Sequence, residues 1–237
     1  MSNYNKEKLP THIGFIMDGN GRWAQKRNMP RKMGHREGAE TFRKIVKYCK
    51  KIGIKYVTFY AFSTENWKRP EEEVNELMKL FNGYLDEVRE YTKENTRLIF
   101  LGDKSAFGND MALKMLEIEE YSKNFDGMTL MLAMNYGGRD DIVHATKQLA
   151  EMVANKEIKI DDIDEALISG FLYTKGLPDV DLLIRPSGEM RISNFLIWQS
   201  AYAEMYFTDV LWPDFSPKEL DKALEEYASR NRRFGGV

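Results

Sequence analysis

The residues best suited to chemistry form a short glycine-rich segment that follows an apolar run, residues 13–17. The segment consists of Asp18, Gly19, Asn20, Gly21, Arg22 and Trp23. Glycine adopts positive φ without strain and lets backbone N–H groups approach an anion, and a carboxylate beside that anion suits a hard cation. The segment lacks the Gly-Lys-Ser/Thr of a P-loop and the third glycine of the dinucleotide fingerprint. It is predicted to bind a magnesium-complexed phosphate or diphosphate; for the two glycines alone, a tight turn is the simpler interpretation.

Polar residues also follow three other runs that are predicted to be strands. Residues 56–61 are followed by Ser63, Thr64, Glu65, Asn66, Trp67 and Arg69, and two later runs by residues 135–139 and 185–194. In open α/β sheets the ligand lies beyond the carboxyl ends of the strands, so five arginines are expected on one rim. These are Arg22, Arg31, Arg69, Arg185 and Arg191. Guanidinium groups match phosphate oxygens, so the set favours a polyanion, although each arginine alone is most simply a surface charge.

Two carboxylates and one histidine are further candidates. Asp18 and Glu204 are the candidate metal ligands, because oxygen ligation together with phosphate suggests Mg²⁺. For Glu204, at the start of a predicted strand, a surface carboxylate is a strong alternative. His35 opens a predicted helix, where it either donates to a phosphate at the positive helix end or caps the helix. The sequence leaves both interpretations of His35 open.

Two sets of apolar residues are compatible with either the lining of a binding cavity or the packed core. Five aromatic residues either line a cavity or belong to the core: Phe62, Trp67, Trp198, Tyr202 and Trp212. A helical stripe has the same ambiguity: Val74, Leu77, Met78, Phe81, Leu85 and Val88. A core-facing helix side and a tunnel wall produce the same periodicity, so pattern alone does not separate them.

Strand-like and helix-like segments alternate from end to end. The predicted strands are residues 13–17, 56–61, 97–101, 128–134, 181–184 and 204–208. The predicted helices are residues 35–51, 71–93, 105–123, 140–154, 161–169 and 194–201, and a closing helix that Ser216 caps and that ends near Arg230; Ser105 is a candidate N-cap. This alternation predicts a single-domain α/β fold with a mostly parallel six-stranded sheet flanked by helices.

Composition narrows the functional classes. The 237 residues carry a net charge of -2, which argues against non-specific nucleic-acid binding. The one cysteine, Cys49, excludes an intramolecular disulfide and fits a reducing, cytoplasmic compartment. The amino terminus has no signal-peptide pattern, and the longest apolar run, residues 128–134, is too short to span a bilayer. Any relationship with a membrane is therefore expected to be peripheral.

Six multi-residue motifs run through nearly the whole chain, from His12 to the terminal segment 232–236. They are MDGNGRWA at 17–24, GH at 34–35, YAFS…NW…RP within 60–70, NYGGR at 135–139, RISNF at 191–195 and LWPDF at 211–215. Together these motifs closely resemble the cis-prenyltransferase family, whose bacterial members are undecaprenyl diphosphate synthases.

The resemblance implies a homodimer with a central parallel sheet, a hydrophobic tunnel and Mg²⁺ as cofactor. It implies condensation of isopentenyl diphosphate onto an allylic diphosphate, usually farnesyl diphosphate. The implied product is a long cis-polyprenyl diphosphate, such as undecaprenyl diphosphate for a cell-wall lipid carrier, with transient membrane-surface contact for its release.

The resemblance also assigns roles to residues. Asp18 would bind magnesium and be essential, Glu204 would assist the metal, and Asn66 is the family's candidate proton acceptor. The allylic diphosphate would be held by Gly19, Asn20, Gly21, Arg22, Trp23, Arg31 and His35. Further substrate contacts would come from Ser63, Thr64, Glu65, Trp67 and Arg69, and isopentenyl diphosphate would be bound by Arg185, Arg191, Ile192 and Ser193.

One catalytic domain is expected over residues 1–237, with residues 1–11 flexible and the tail 231–237 completing the partner's site. Asparagine has no titratable group near neutral pH, so Asn66 is interpreted as an orienting or relay group, with a diphosphate oxygen as the alternative proton acceptor. Pro186 departs from the threonine of many family members and removes a backbone donor.

Three alternatives to a long-chain synthase remain. They are a short-chain synthase, a non-catalytic partner subunit and a phosphate-binding protein without turnover. The presence of Asp18, Asn66 and Arg191 argues against the partner subunit. Tunnel depth separates the short-chain from the long-chain enzyme, and product formation separates an enzyme from a binding protein.

Overall fold

The computed structural model describes residues 8–92 and 95–230, except for the side chains of residues 88–92. The strands in these ranges are β1 His12–Ile16, β2 Tyr56–Ser63, β3 Thr96–Leu101, β4 Met128–Tyr136, β5 Leu182–Pro186 and β6 Glu204–Thr208. They form one sheet in the order β3-β4-β2-β1-β5-β6, and every neighbouring pair is parallel. The predicted six-stranded parallel sheet is therefore confirmed.

The strand order reverses at β1, which lies between β2 and β5. The chain first builds the β2 side of the sheet and then crosses to the β5 side. Loops that leave β1 and β5 at this point diverge to opposite sides, and ligands of open α/β sheets bind in the crevice that results. Asp18 and Arg185 are both at this crevice.

The helices are α1 Asn20–Gln25, α2 Arg31–Ile52, α3 Glu71–Thr92, α4 Asn109–Ser122, α5 Gly138–Ala154, α6 Glu165–Ser169 and α7 Pro217–Ser229. One buried cluster contains Ile13, Phe15 and residues of α2, α3, α4 and α7, and a second contains Ile16, Phe195 and Leu196. The two clusters lie on opposite faces of the sheet because alternate strand side chains point to opposite faces. The nine residues of β4 are all buried, as expected for a central parallel strand.

Several predicted helices have different bounds. The helix predicted to begin at His35 begins at Arg31, directly after Pro30, so His35 lies in its second turn. The prediction of one helix over residues 105–123 was wrong: Gly108, with φ of 78°, separates a 3-10 turn, Lys104–Phe107, from α4. Ser105 therefore lies in that turn and does not cap α4.

Two other helix predictions were also wrong. Residues 161–169 divide into a 3-10 turn, Ile160–Asp162, and α6, whose N-cap Asp164 accepts from the Leu167 N–H at 2.7 Å. Residues 194–201 form turns instead of a helix. In that segment Asn194 and Leu196 have positive φ, and a right-handed helix excludes such values.

Two predictions concern the ends of the chain, and a third concerns helices that could cross a membrane. Leu9 packs against the core and Pro10 is buried, while residues 1–7 and the tail 231–237 lie outside the described residues. No helix in the described ranges is long and apolar enough to cross a membrane.

Candidate active site

Asp18 and Arg185 form the centre of the site, at the carboxyl ends of β1 and β5. The Nη2 of Arg185 donates to the Oδ2 of Asp18 at 2.8 Å, and its Nη1 donates to the Oγ of Ser193 at 2.7 Å and to the carbonyl of Arg191. Burial by itself raises the pKa of Asp18, but hydrogen bonding to Arg185 and the charges of Arg185 and Arg22 outweigh it. The pKa of Asp18 therefore lies below its usual value, and the group is a carboxylate at neutral pH.

Arg22 extends the cationic rim toward the loop after β5. Its Nη1 donates to the carbonyl of Ser187 at 3.0 Å and to Glu189 Oε1 at 3.1 Å, and its Nη2 lies 3.3 Å from Asp18. Glu189 also pairs with Arg191. Glu189 was not among the predicted site residues, and it holds both arginines at the rim.

The loop from β1 into α1 is shaped by close packing. Gly19 has φ of 105°, and a Cβ there would lie 2.9 Å from the Leu211 side chain. Gly34 on α2 lets α1 approach closely, because a Cβ at that position would lie 1.9 Å from the Asn20 carbonyl oxygen. The prediction of a glycine-rich turn missed α1, a short helix that begins at Asn20.

His35, Arg31 and Arg69 lie on the α2–α3 side of the rim. His35 has a buried Nε2 with no hydrogen-bond partner among the described residues. Burial, and then the charge of Arg69, holds its pKa below the usual value, so the imidazole is neutral at pH 7. Glu73 lies 3.1 Å from Arg69 and 3.9 Å from Arg31. The acidic start of α3 was predicted to serve the helix dipole, and the i,i+4 spacing of Arg69 and Glu73 was the signal for this pairing.

The turn after β2 is held in place by amide side chains. The Ser63 N–H donates to Asn66 Oδ1 at 3.0 Å, so the oxygen of Asn66 is already engaged. Asn194 donates to Glu65 Oε1 at 2.8 Å and accepts from the Arg139 N–H at 2.9 Å. Asn194 thus joins the loops that follow β2, β4 and β5.

These groups surround the mouth of a cavity of about 630 Å³ between α2, α3 and the sheet. The predicted residues that line it are Asp18, Asn20, His35, Ser63, Glu65, Asn66, Arg69, Arg185 and Ser193. Its apolar walls include Ala39, Phe42, Ala61, Leu77, Leu80, Phe81, Tyr84, Leu85, Phe100, Leu132, Met134 and Trp212. Three members of the α3 stripe, Leu77, Phe81 and Leu85, and also Trp212 therefore pack in the core and border the cavity. Val74 and Met78 pack in the core without lining the cavity, and the side chain of Val88 lies outside the described ones.

Other predicted site residues do not border this cavity. Gly21 and Arg22 lie on α1, Thr64 begins the 3-10 turn after β2, and Gly19, Arg191 and Ile192 belong to loops beside the mouth. Arg31 lines an adjoining groove. Trp23 donates its Nε1 to Asp214 Oδ1 at 2.7 Å, with Arg27 over its ring. Trp67 donates to Asn135 Oδ1 at 2.8 Å. Among the aromatic cavity candidates Phe62, Trp67, Trp198 and Tyr202 do not line it.

Glu204 lies away from Asp18 within one chain. It pairs in register with Leu182, which is level with Ile13, so it lies about 16 Å from Asp18 along the strand direction alone, at ~3.3 Å per residue, and two strands away across the sheet. Its Oε2 accepts from Arg230 Nη1 at 2.6 Å. Glu204 and Asp18 of one chain therefore do not share a cation, and the metal role of Glu204 stays a prediction.

The donor set at Asp18 nevertheless fits a Mg²⁺ ion that binds together with a diphosphate. The described residues contain no cluster of three or more metal-ligating side chains. Magnesium typically keeps several waters and is bound through one or two carboxylates plus substrate phosphates. Asp18 offers one ionised, half-buried carboxylate beside arginines suited to phosphate, so it would hold Mg²⁺ together with a diphosphate.

An ionic rim at the mouth of an apolar cavity suits a ligand with an anionic head group and a hydrocarbon tail. The undecaprenyl diphosphate synthase model of the prenyltransferase family matches residues 16–235, and the chain belongs to this family. The isoprenyl transferase of Clostridium perfringens is 52% identical over 98% of this chain and 92% of its own length. The (2E,6E)-farnesyl-diphosphate-specific ditrans,polycis-undecaprenyl-diphosphate synthase of Pasteurella multocida is 49% identical over 100% of this chain and 99% of its own.

Solved structures agree with this assignment. Lavandulyl diphosphate synthase from Lavandula x intermedia, in complex with dimethylallyl diphosphate, matches with a TM-score of 0.93 at 36% identity, over 97% of this chain and all of that one. A probable undecaprenyl diphosphate synthase from Campylobacter jejuni matches with a TM-score of 0.79 at 34% identity, over 96% and 99% of the two chains. The predicted family and the predicted fold are confirmed.

Proposed function

We propose that this chain is a cis-prenyltransferase that adds isopentenyl diphosphate to an allylic diphosphate, with farnesyl diphosphate as the primer, and makes a long polyprenyl diphosphate. The observation that carries the proposal is the arginine-rich rim around Asp18 at the mouth of an apolar cavity of about 630 Å³. The names of relatives at about half identity support the same reaction. We further propose a cytoplasmic homodimer whose product supplies a cell-wall lipid carrier.

The allylic diphosphate is assigned to the loop after β1 and to the α2–α3 side of the rim. Asn20 and His35 line the cavity there, and Arg69 lies close to them. Asp18 would hold Mg²⁺, which, when bound, neutralises charge on the diphosphate as the allylic C–O bond breaks. Arg31 and Arg69 would stabilise the same developing charge, and the neutral His35 would hydrogen-bond to a diphosphate oxygen.

Isopentenyl diphosphate is assigned to the loop after β5. Arg191 is exposed and pairs with Glu189, so a diphosphate would replace that carboxylate as its partner. Arg185 holds the carbonyl of Arg191 and the hydroxyl of Ser193, which fixes the shape of the loop.

The reaction joins these two sites. The double bond of isopentenyl diphosphate attacks the allylic carbon, the allylic C–O bond breaks, and diphosphate leaves with the bonding electrons. A proton is then lost from the carbon next to the new cation, which restores a double bond. Asn66, whose Oδ1 already accepts from Ser63 N–H, orients the substrate, and a diphosphate oxygen accepts the proton.

The apolar cavity receives the growing chain. Each buried methylene contributes ~0.8 kcal/mol, so elongation is favoured until the chain meets the cavity floor. A short-chain synthase remains the second candidate. The structure with a TM-score of 0.93 is that of lavandulyl diphosphate synthase bound to dimethylallyl diphosphate, so the fold alone does not define primer or product length.

The test is to incubate the purified protein with farnesyl diphosphate, labelled isopentenyl diphosphate and Mg²⁺, and to separate the products by length. We expect a long product that EDTA abolishes and that Asp18→Asn reduces by at least about 100-fold. Asp161→Asn, at an exposed carboxylate in the 3-10 turn Ile160–Asp162, is the matched control. A folded protein that binds both diphosphates without forming product would overturn the proposal, and a short product would favour the second candidate.

A further inference from the structure

The corner that joins α1 to α2 is exposed and cationic. Residues 25–33 are nine consecutive exposed residues with four cations and no carboxylate. The cations of the corner are Lys26, Arg27, Arg31 and Lys32, and the exposed Arg36 follows one turn later. The net charge of the whole chain is -2, so this positive charge is a local concentration. We call residues 25–36 the cationic corner.

Much of this charge has no ion-pair partner among the residues that the structure describes. Arg27 lies 3.3 Å from Asp214, and Arg31 lies 3.9 Å from Glu73. Lys26, Lys32 and Arg36 take part in no ion pair with any residue that the structure describes. The cationic corner therefore carries a positive charge that is available to an external anion.

Two apolar side chains stand among these cations. Met29 is 43% exposed and Met33 is 37% exposed, and they lie on either side of Pro30 and Arg31. Exposed cations interspersed with apolar side chains are typical of surfaces that rest on a bilayer, because the cations meet the headgroups while the apolar groups enter the boundary with the acyl chains.

The cationic corner adjoins the mouth of the cavity. Arg31, Lys32, Met33 and Arg36 line a groove between α2 and α3, and this groove shares His35, Leu77 and Leu80 with the cavity. The acidic side chains of the groove belong to α3 and lie across it: Glu72, Glu73 and Glu76. A surface that contacts the cationic corner is thus next to the place where an apolar product would emerge.

A second pair of exposed apolar side chains, on α4, differs from the two methionines in the charge of its neighbours. Leu113 and Leu116 on α4 are 56% and 50% exposed, more than the two methionines. Their neighbours on the helix include Asp110, Glu117 and Glu120. An anionic bilayer repels that surface and attracts the cationic corner, so charge complementarity selects one of the two.

We propose that the cationic corner docks this protein reversibly on an anionic lipid bilayer, beside the cavity from which the polyprenyl product leaves. The delivery of product rests on the proposed function, whereas docking itself does not require turnover. Each lysine or arginine close to an anionic surface strengthens binding about five-fold. A few free cations and two partly exposed methionines therefore give weak attachment, which suits an enzyme that binds soluble substrates repeatedly.

Docking is tested by sedimentation with vesicles of phosphatidylcholine alone or mixed with phosphatidylglycerol, at low and high salt. We expect the protein to bind the mixed vesicles, and salt to weaken that binding. Lys26→Gln with Lys32→Gln should lower the partition coefficient roughly 30-fold at low salt, and Met29→Ser with Met33→Ser should lower it severalfold. The matched controls, Lys156→Gln with Lys175→Gln and Leu113→Ser with Leu116→Ser, should change it by less than about two-fold.

The outcomes separate docking from the proposed function. Turnover in detergent should be the same for the wild type and all four double variants, and loss of turnover in the wild type would count against the proposed function alone. The docking proposal is overturned if the wild type binds mixed vesicles no better than vesicles of phosphatidylcholine alone. It is also overturned if the α4 variant loses binding while the corner variants keep it. It is equally overturned if the corner variants change only the oligomeric state in sedimentation equilibrium, which would make the corner a protein interface.

Discussion

Arg185 donates its Nη2 to the Oδ2 of Asp18 at 2.8 Å, joining the ends of β5 and β1. Arg185 is buried, whereas 30% of the Asp18 side chain is exposed toward the cavity mouth. Arg185 therefore stabilises the ionised form of Asp18 from the buried side, and the other side of the carboxylate stays accessible. This pairing places a permanent negative charge where a cation and a diphosphate would meet.

Replacing Arg185 should lower turnover by more than the accompanying loss of folding stability would account for. Arg185→Met removes the donor to Asp18, to Ser193 and to the Arg191 carbonyl, so the pKa of Asp18 rises and the loop after β5 loses its shape. We expect kcat/KM for isopentenyl diphosphate to fall by at least about 100-fold. Arg139→Met, outside the cavity lining, is the control, and an equal loss in both variants would contradict the assigned role.

A methyl group at Gly34 should separate α1 from α2. The added Cβ of Gly34→Ala would lie 1.9 Å from the Asn20 carbonyl oxygen, so the loop that carries Asp18 must shift. We expect both a lower unfolding temperature and a loss of activity. Gly83→Ala is the control on α3, where a Cβ meets nothing within 4 Å.

The control should move stability in the opposite direction. Alanine is a better helix former than glycine, so Gly83→Ala should stabilise the protein by ~0.5–1 kcal/mol. Both variants are measured by urea unfolding. Equal effects of the two substitutions would show that α1 is free to move and that the close approach at Gly34 is unimportant.

The product length should depend on one face of β4. Leu132 lines the cavity, whereas the adjacent Met131 is buried on the opposite face of the sheet. Leu132→Ala and Met131→Ala should each destabilise the protein by ~2–5 kcal/mol. Only Leu132→Ala should shift the product distribution to longer chains, measured by chromatography of the labelled products.

Stability should fall in mild acid because His12 is buried. Its Nδ1 donates to the Pro178 carbonyl at 2.8 Å and its Nε2 accepts from Thr58 at 2.7 Å. Burial holds its pKa below the usual 6.5, so the folded state binds fewer protons than the unfolded state below that pH. The stability that His12 contributes is present above pH 6.5 and is lost as the pH falls toward its folded pKa.

This loss is measured by urea unfolding between neutral and mildly acidic pH. One histidine contributes a slope of at most ~1.4 kcal/mol per pH unit. His12→Gln should be less stable than the wild type at neutral pH and should depend less steeply on pH. Parallel curves for the two proteins would show that other groups cause the acid sensitivity.

Much of the architecture was predictable because it depends on local patterns. The nine buried residues of β4 and the alternation of strands with helices follow from hydrophobic periodicity, which does not require knowledge of distant contacts. The predicted helices were wrong in two situations. At Gly108 a single residue with positive φ interrupts the helix, and at Asn194 tertiary contacts hold the backbone at positive φ. There, bonds from Asn194 to Glu65 and Arg139 replace those of the predicted helix.

The sequence by itself determined which residues stand at the carboxyl ends of the strands, and hence that Asp18 and the arginines share one edge of the sheet. It also determined the family, because six motifs occur in order along the chain. These properties depend only on residue identity and order along the chain.

The tertiary structure decided which of these residues meet. Arg185 and Asp18 are 167 positions apart, and their 2.8 Å bond follows from β1 and β5 being neighbours at the reversal of strand order. The same topology puts Glu204 at the far end of β6, where it pairs with Arg230. Strand order and helix packing arise from the burial of the whole chain at once, so no local pattern encodes these distances.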